Sequence, residues 1–285
     1  MRLVTVATHS DLYFPFLKKS CRKYNSDITV LGWGQPWPGF SFKSKLMKEY
    51  LIDVSDDDIV CVIDSFDVLL LRPIDELESF FRAYSELTGV RIIVGFDLKP
   101  SSIVSTINHL QFGTCHGVSL NAGTYIGFAK EIKHMIKEIY SDPSLDDQLL
   151  LTQYVQKYPH KVHIDTNSLF FLTINNPTGE FMYDSHIKVE HDMLYYRGIR
   201  PFFAHGNGNT DMTRLIKELG YKISDKVVDS ILRKSKNAQF KKVVDYYYPQ
   251  LIILGILLLL MFWFIYRYLK KLSSPKSIAL EETND

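Results

Sequence analysis

Two patterns of apolar and polar residues alternate along this chain of 285 residues. Short apolar runs without internal alternation are typical of strands that are buried on both faces of a sheet. Between them, apolar residues recur at the spacing of amphipathic helices. The predicted strands are 3–8, 28–31, 59–71, 90–96, 121–129, 162–164, 168–172 and 199–204, and the predicted helices are 11–24, 43–52, 74–87, 132–140, 145 onwards, 213–219 and 226–234. This alternation predicts an α/β fold with a mostly parallel sheet sandwiched by helices.

The run from Ile59 to Leu71 contains two acids in otherwise apolar surroundings. Five apolar residues lead into Asp64, and apolar residues resume directly after Asp67. Carboxylates are costly in such a segment unless they face a cation or stand at the exposed end of the strand. The carboxyl end of a parallel sheet is also where open α/β folds bind ligands. We therefore interpret Asp64 and Asp67 as ligands of a divalent metal. The alternative from the residues alone is one acid that caps a turn and one that is solvated.

The C-terminal part has a different composition. From Leu251 to Tyr266 every residue is apolar or tyrosine apart from Gly255, and with Tyr246–Tyr248 the span reaches about twenty residues, the length of a membrane-crossing helix. Aromatic residues at its ends and basic residues after it fit a membrane interface. A buried core helix is the alternative. The predicted organisation is a folded domain at 1–225, a helical juxtamembrane linker at 226–247, a transmembrane helix at 248–269 and a short polar tail at 270–285.

Composition and missing motifs argue against several classes of protein. A net charge of +1 without a Lys/Arg stripe predicts no nucleic-acid partner. Three separated cysteines without a Cys-x-x-Cys pair predict neither a disulfide framework nor a structural zinc site, and Cys61 is expected in the core. The chain has no P-loop, no Gly-x-Gly-x-x-Gly and no Gly-x-Ser-x-Gly, which argues against a P-loop NTPase, a dinucleotide dehydrogenase and a serine hydrolase.

Two further motifs could complete a metal-dependent site. In His205-Gly-Asn-Gly208 the glycines would let backbone N–H groups approach a ligand, and the imidazole could bind a metal such as Mn²⁺. Asp146 and Asp147 open a helix with Ser144 as the expected N-cap. They could accept a proton from an acceptor hydroxyl or hold a sugar, although a favourable interaction with the helix dipole explains them equally well.

Three other features are less specific. Lys43 starts a helix, where it could meet a phosphate or simply be solvated. Trp33 and Trp37 lie in a Gly/Pro-rich loop at 32–39, where they could stack on a base or sugar or pin the loop to the core. The irregular segment 97–120 is of the kind that covers active sites.

Taken in this order, the motifs resemble the glycosyltransferase domain of the multifunctional procollagen lysine hydroxylase/glycosyltransferase family. The resemblance spans residues 3 to about 210. The matching segments are Leu3-Val-Thr-Val-Ala-Thr8, Leu31-Gly-Trp-Gly-Gln-Pro-Trp37, Asp64-Ser-Phe-Asp67-Val-Leu, Gly123-Thr-Tyr-Ile-Gly-Phe-Ala129, Asp146-Asp-Gln148 and His205-Gly-Asn-Gly208.

The resemblance implies a GT-A fold, which is a Rossmann-like nucleotide-sugar-binding sheet, with a UDP-sugar donor and Mn²⁺ or Mg²⁺. It also implies site residues by position. These are Asp64, Asp67 and His205 for the metal, Trp37, Lys43, Phe66 (tyrosine in the family), Asn207 and Gly208 for the nucleotide-sugar, and Asp146 and Asp147 for transfer.

The chain departs from the family pattern in three places. The family continues the His-Gly-Asn-Gly motif with Pro-Thr-Lys, whose lysine helps to bind the diphosphate, whereas this chain has Asn209-Thr-Asp211. A carboxylate there would repel a diphosphate, so Arg214 would have to replace the lysine. The glycine-rich run before the nucleotide lysine is replaced by Pro38-Gly-Phe-Ser-Phe42, and the iron-dependent hydroxylase domain is missing, which predicts a stand-alone transferase.

We therefore expect a membrane-anchored, metal-dependent hexosyltransferase. It would move glucose or galactose from UDP-glucose or UDP-galactose to a protein or glycan acceptor, such as hydroxylysine or galactosyl-hydroxylysine of a collagen-like protein. Its C-terminal helix would hold it in the lipid bilayer of an ER- or Golgi-like endomembrane, or of a viral or host membrane. The sequence does not determine on which side of that membrane the catalytic domain lies. The alternative is an inactive, membrane-tethered relative that binds a nucleotide or glycan. A phosphohydrolase would need a denser carboxylate cluster.

Overall fold

The structure, a computed structural model, describes residues 1–98, 109–140, 146–175, 186–208 and 210–273. Its strands are β1 (Arg2–Val6), β2 (Thr29–Leu31), β3 (Ile59–Ile63), β4 (Val68–Leu70), β5 (Ile92–Leu98), β6 (Leu120–Phe128), β7 (Val162–Ile164), β8 (Phe171–Asn175), β9 (Ile187–Glu190), β10 (Met193–Tyr196) and β11 (Phe203–Asn207). Its helices are α1 (Phe14–Lys23), α2 (Ser41–Tyr50), α3 (Ile74–Thr88), α4 (Ala129–Ile139), α5 (Asp147–Lys157), α6 (Thr213–Glu218) and α7 (Asp225–Ser273).

Nine strands of the described ranges form one sheet in the order β2-β1-β3-β6-β5-β8-β11-β4, with β7 paired to β5. Strands β4 and β6 run antiparallel to their partners, and the other pairs in this sheet are parallel. The expected α/β fold with a mostly parallel sheet is therefore confirmed. Strands β9 and β10 form a separate antiparallel hairpin, which the sequence analysis did not predict.

Strand β3 is buried on both faces, as its unbroken apolar sequence predicts, and all five of its residues have no exposed surface. Val60 and Val62 pack in a cluster that includes residues of α2, α4 and α5. Ile59, Cys61 and Ile63 pack in a second cluster that includes residues of α1 and α3. Helices thus cover both faces of the central strand, and Cys61 is a core residue as expected.

The predicted strand at 59–71 is two strands. The chain leaves the sheet at Asp64 and returns as β4, which pairs with β11 at the far edge of the sheet. The acids therefore lie in the connection between two strands. In a single extended strand, Asp64 and Asp67 would have pointed to opposite faces of the sheet.

Two other predicted strands start later than expected. Strand β8 begins at Phe171 because both carboxylate oxygens of Asp165 accept hydrogen bonds from the backbone N–H groups of Leu169, Phe170 and Phe171, which holds the preceding residues in a turn. Strand β11 begins at residue 203, so His205 lies inside a strand and does not follow one.

Helix α5 also begins later than expected, because its N-cap is Asp146, whose Oδ1 accepts a hydrogen bond from the N–H of Gln148. The predicted cap, Ser144, lies outside the described residues. The predicted irregular segment 97–120 lies partly outside them, as do Asn209 and most of the predicted polar tail.

The chain divides into two compact units, Met1–Lys236 and Asn237–Asp285. In the second unit, Ile252–Lys270 is long and apolar enough to cross a membrane, and none of this stretch is buried. The domain boundaries stay a prediction.

Candidate metal centre and active site

Three side chains that are distant in sequence meet where strands β3, β4 and β11 come together. Asp64 follows β3 and its N–H donates to the carbonyl of Gly123 in β6, at 2.7 Å. Asp67 precedes β4 and its carbonyl accepts a hydrogen bond from the N–H of Gly206, at 2.8 Å. His205 in β11 is opposite Val68 in the antiparallel register. Backbone pairing therefore places both acids beside the imidazole.

Ligand atoms of Asp64, Asp67 and His205 lie within 4.8 Å of one another. Nε2 of His205 is 3.3 Å from Oδ1 of Asp67 and 3.9 Å from Oδ2 of Asp64. The imidazole is fully buried, Nδ1 has no hydrogen-bond partner among the described residues, and Nε2 faces the two carboxylates without a well-directed hydrogen bond. A buried polar atom without a partner is costly, so this donor set fits a divalent metal, which two carboxylates and an imidazole would hold.

The electrostatics of His205 agree with this arrangement. Burial lowers the pKa of the imidazole, but the carboxylates of Asp67 and Asp64 more than offset this effect, and the pKa of His205 is raised. A metal would compete with the proton for the same nitrogen, because a histidine ligand must be neutral.

Gly123 leaves the space that the cluster needs. A Cβ at this position would lie 2.5 Å from Cε1 of His205 and closer still to Oδ2 of Asp64. Only a residue without a side chain lets β6 pass this close to the two ligands.

Lys43 contacts the same cluster from α2. Its side chain is mostly buried, and its Nζ donates to Oδ1 of Asp64 at 2.7 Å and to the carbonyl of Ala122 at 3.1 Å. Oδ2 of Asp147 is 3.8 Å away. Burial lowers the pKa of Lys43, but Asp64 and Asp147 outweigh it, so the pKa is raised and the ammonium stays charged. In this structure, Lys43 is the counter-ion of Asp64.

The two acids at the start of α5 have different environments. Asp146 caps the helix, because its Oδ1 accepts a hydrogen bond from the N–H of Gln148. Asp147 faces Lys43, and burial raises its pKa to about 6, with Lys43 lowering it and Asp64 raising it. The structure therefore brings Asp147 to the cluster and gives Asp146 a capping role.

Asn207 lies two residues after His205 in β11, so both side chains are on the same face of the strand. Its Nδ2 donates to Oδ1 of Asp97 at 3.2 Å. Asp97, an almost fully buried acid in β5, was missed by the sequence analysis. The signal was an acid after the apolar run Ile-Ile-Val-Gly-Phe, the same signal that identified Asp64. Gly208 has φ of +68°, a left-handed conformation that glycine adopts without strain.

The aromatic residues form two groups. Phe66, between the two acids, packs against His9 and Phe14, with ring centroids 5.5 and 6.4 Å apart. Trp37 is about half exposed and makes edge-on contacts with Phe40 and Phe42. Both expected base-binding aromatics thus have packing partners and open surface. Their role toward a nucleotide stays a prediction.

Asp211, the acid that departs from the family pattern, is engaged by the fold. Its Oδ1 accepts hydrogen bonds from the hydroxyl of Tyr13 and from the N–H of Thr213, both at 2.9 Å. Arg214, which would have to replace the family lysine, is exposed and pairs with Glu218 on α6 at 2.8 Å.

Comparison with known proteins identifies relatives of this chain. The chain is 24% identical over 233 residues to procollagen-lysine,2-oxoglutarate 5-dioxygenase of Drosophila melanogaster, which covers 73% of this chain and 30% of that protein. It is 26% identical over 232 residues to the multifunctional procollagen lysine hydroxylase and glycosyltransferase LH3 of Rattus norvegicus. That alignment covers 74% of this chain and 30% of the rat protein. The chain thus spans about a third of the length of these relatives.

A crystal structure of a glycosyltransferase involved in glycosylation of the major capsid of PBCV-1 aligns with a TM-score of 0.48 at 10% identity, covering 77% of this chain and 98% of that one. The model of the family described as PLOD GT domain matches residues 1–229. This match confirms the expected class of enzyme, a UDP-sugar glycosyltransferase, and, with the sheet described above, the GT-A-like fold. Over those residues, the chain belongs to the PLOD GT domain family.

Proposed function

We propose that this chain transfers a hexose, glucose or galactose, from a UDP-sugar to a hydroxyl acceptor in a reaction that depends on Mn²⁺ or Mg²⁺. The observation that carries the proposal is the convergence of Asp64, Asp67 and a buried His205 whose Nε2 faces both carboxylates without a well-directed hydrogen bond. Membership of the glycosyltransferase family supports the donor class.

The residues present could perform the parts of such a transfer. The acceptor oxygen forms a bond to the anomeric carbon, the bond from that carbon to the diphosphate breaks, and the acceptor proton passes to a base. A metal held by the three ligands would neutralise charge on the departing diphosphate. Two carboxylates with one imidazole favour Mn²⁺ over Mg²⁺, which binds mainly oxygen ligands.

We assign orientation and deprotonation of the acceptor to Asp147. This acid lies near Lys43, which in turn contacts Asp64 of the cluster. Asp146 would support it by capping the helix on which Asp147 lies. The nucleotide-sugar would contact Trp37, Phe66, Asn207, Gly208 and Lys43, as the family resemblance implies. Asp97 would fix the amide of Asn207, to which it is hydrogen-bonded.

For the acceptor, we propose hydroxylysine or galactosyl-hydroxylysine in a collagen-like protein, because the relatives are named for procollagen lysine. The apolar stretch Ile252–Lys270 would anchor the enzyme by a single C-terminal span. Protease protection of intact membrane vesicles, with an antibody to the N-terminal part, determines which side holds the catalytic unit.

Isothermal titration of the full chain in mild detergent tests the metal-dependent step. We expect UDP to bind in the presence of Mn²⁺ and to bind at least tenfold more weakly in EDTA, because the metal links protein and diphosphate. Asp64→Asn, which keeps the size of the side chain and removes its charge, should abolish the metal dependence. Metal-independent binding, unchanged in Asp64→Asn, would refute the proposed site.

Turnover is measured separately with UDP-glucose and UDP-galactose against hydroxylysine and galactosyl-hydroxylysine peptides. We expect one donor to be used, and Asp147→Asn to lose turnover while it retains Mn²⁺-dependent UDP binding. Metal-dependent UDP binding without transfer or donor hydrolysis would instead identify a nucleotide-binding relative without catalysis.

A further inference from the structure

The position of Lys43 suggests a role that the family resemblance does not assign to it. Its ammonium group is 2.7 Å from Oδ1 of Asp64, 3.1 Å from the carbonyl oxygen of Ala122 and 3.8 Å from Oδ2 of Asp147. The side chain is only 11% exposed, so bulk water contributes little to its solvation. The positive charge of Lys43 is therefore balanced inside the protein by the two acids.

Asp64 is shared between this lysine and the metal cluster. One of its oxygens accepts from Lys43, and the other is 3.9 Å from Nε2 of His205. A divalent cation held by Asp64 would thus share a carboxylate with an ammonium group. The two positive charges repel, and burial weakens the screening of that repulsion.

The surroundings of Lys43 leave little room for water next to its ammonium group, although the side chain of Asp64 is 37% exposed. A small cavity beside Lys43 and Asp147 has room for about one water molecule. The rest of its wall is mostly apolar, with the residues Ala122, Met135, Ile136, Ile139 and Leu151 beside Ser44 and Tyr125. On this side, Lys43 therefore has little room for water that could solvate its charge.

We propose that Lys43 is an internal counter-ion that keeps the affinity for a lone divalent metal low, so that tight metal binding requires the diphosphate of the donor. The inference rests on the proposed function, since it takes Asp64 as a metal ligand and a UDP-sugar as donor. A diphosphate brings negative charge that offsets both cations. Metal and nucleotide would then each tighten the binding of the other by the same factor.

This role differs from a direct contact between Lys43 and the diphosphate. A lysine that acted only on the nucleotide would leave the affinity for the metal alone unchanged when it is removed. A counter-ion of Asp64 lowers that affinity, so its removal raises it. The affinity for Mn²⁺ without nucleotide separates the two roles and needs no catalytic activity.

The test measures Mn²⁺ binding to the full chain in detergent by electron paramagnetic resonance of free Mn²⁺, with and without UDP. We expect Lys43→Met to bind lone Mn²⁺ at least about tenfold more tightly, because the variant removes a positive charge that contacts the same carboxylate, Asp64, as the metal would. The factor by which UDP tightens Mn²⁺ binding should fall in the same variant.

The matched control is Lys45→Met on the same helix, because Lys45 is half exposed and pairs with Glu49. This variant should bind Mn²⁺ as the wild type does. Lys43→Arg keeps the charge and should stay within about threefold of wild type. Lys43→Gln, which also removes the charge, provides the test if Lys43→Met does not fold, as judged by circular dichroism.

Unchanged or weaker binding of lone Mn²⁺ by a folded Lys43→Met, or binding at least tenfold tighter by Lys43→Arg, would overturn the inference and leave the proposed function standing. Absence of Mn²⁺ binding in the wild type, with and without UDP, would overturn both.

Discussion

The hydroxyl group of Tyr13 donates a 2.9 Å hydrogen bond to Oδ1 of Asp211, 198 positions further along the chain. The same hydroxyl accepts a hydrogen bond from the N–H of Met212, and Oδ1 of Asp211 also accepts one from the N–H of Thr213, both at 2.9 Å. Tyr13 thereby holds Asp211 and Met212, the two residues before α6. One oxygen of the carboxylate that departs from the family pattern is thus held by the fold.

Tyr13→Phe should destabilise the protein by about 1–3 kcal/mol, because it removes one hydrogen bond to Asp211 and leaves the buried N–H of Met212 without its acceptor. The free energy of unfolding in urea, followed by circular dichroism, measures this loss. Mn²⁺-dependent binding of UDP to the folded variant should be unchanged. A stability equal to that of the wild type would show that the contact contributes nothing.

Asp211→Asn tests whether the acid also repels the donor. The amide oxygen can still accept from Tyr13 and Thr213, so the fold is retained while the charge is removed. We expect UDP affinity within about threefold of wild type, because the carboxylate is directed to Tyr13. Tenfold tighter binding of UDP would instead mean that the negative charge of Asp211 acts on the diphosphate.

Individual strands and helices of this fold can be predicted from short stretches of sequence. The cluster of Asp64, Asp67 and His205 can be predicted from such stretches as well. Strand β3 is recognised by its five consecutive apolar residues, and its acids by their contrast with that run. Their partner His205 was expected from its glycine-rich motif and the family resemblance. Pairing of β4 with β11 then brings Asp67 and His205 together, as expected for one site.

Other relationships depend on contacts that no local pattern reports. The position of β4 at the far edge of the sheet depends on its pairing with β11, more than 130 residues later. Lys43 has the same sequence context whether it faces solvent, a phosphate or Asp64, and only the packing of α2 on the sheet directs it to Asp64. The late start of β8 comes from backbone hydrogen bonds to Asp165, which a propensity for strand cannot reveal.

Gly123→Ala should abolish binding of Mn²⁺ to the site. The added methyl group would overlap with Oδ2 of Asp64 and Cε1 of His205, so both ligands must move to admit it. Mn²⁺ affinity by electron paramagnetic resonance is the measurement, with circular dichroism to verify folding. Gly255→Ala is the control, because a Cβ there meets no atom of the described chain within 4 Å. Wild-type Mn²⁺ affinity in a folded Gly123→Ala would place the metal elsewhere.

Asp165 should make stability fall as pH rises from about 4 to 6. Burial raises its pKa to about 6, with three backbone N–H groups acting in the opposite direction, while the unfolded value is about 3.9. A raised native pKa adds stability that is fully present below the unfolded pKa and is lost as pH rises through the native one. The loss is on the order of 3 kcal/mol.

The comparison of wild type with Asp165→Asn isolates this effect from that of other acids. The amide that this substitution introduces does not titrate, so the difference in unfolding free energy between the two proteins should change with pH between 4 and 6 and level off above 7. Urea unfolding at pH 4, 5, 6 and 7 provides the values. A difference that is constant over this range would mean that Asp165 titrates alike in the native and unfolded chains.

Two arginines within the apolar stretch of α7 should release the chain from membranes. Leu259 and Met261 lie near the middle of Ile252–Lys270, and both side chains are exposed. An arginine at the centre of a membrane helix costs roughly 2.5–3.5 kcal/mol, so Leu259→Arg with Met261→Arg should strongly disfavour insertion. Extraction of cell membranes with alkaline carbonate measures retention.

The control is Leu259→Ile with Met261→Leu, which keeps the stretch apolar and should stay in the membrane pellet as the wild type does. Equal retention of the arginine variant would show that this stretch does not anchor the chain.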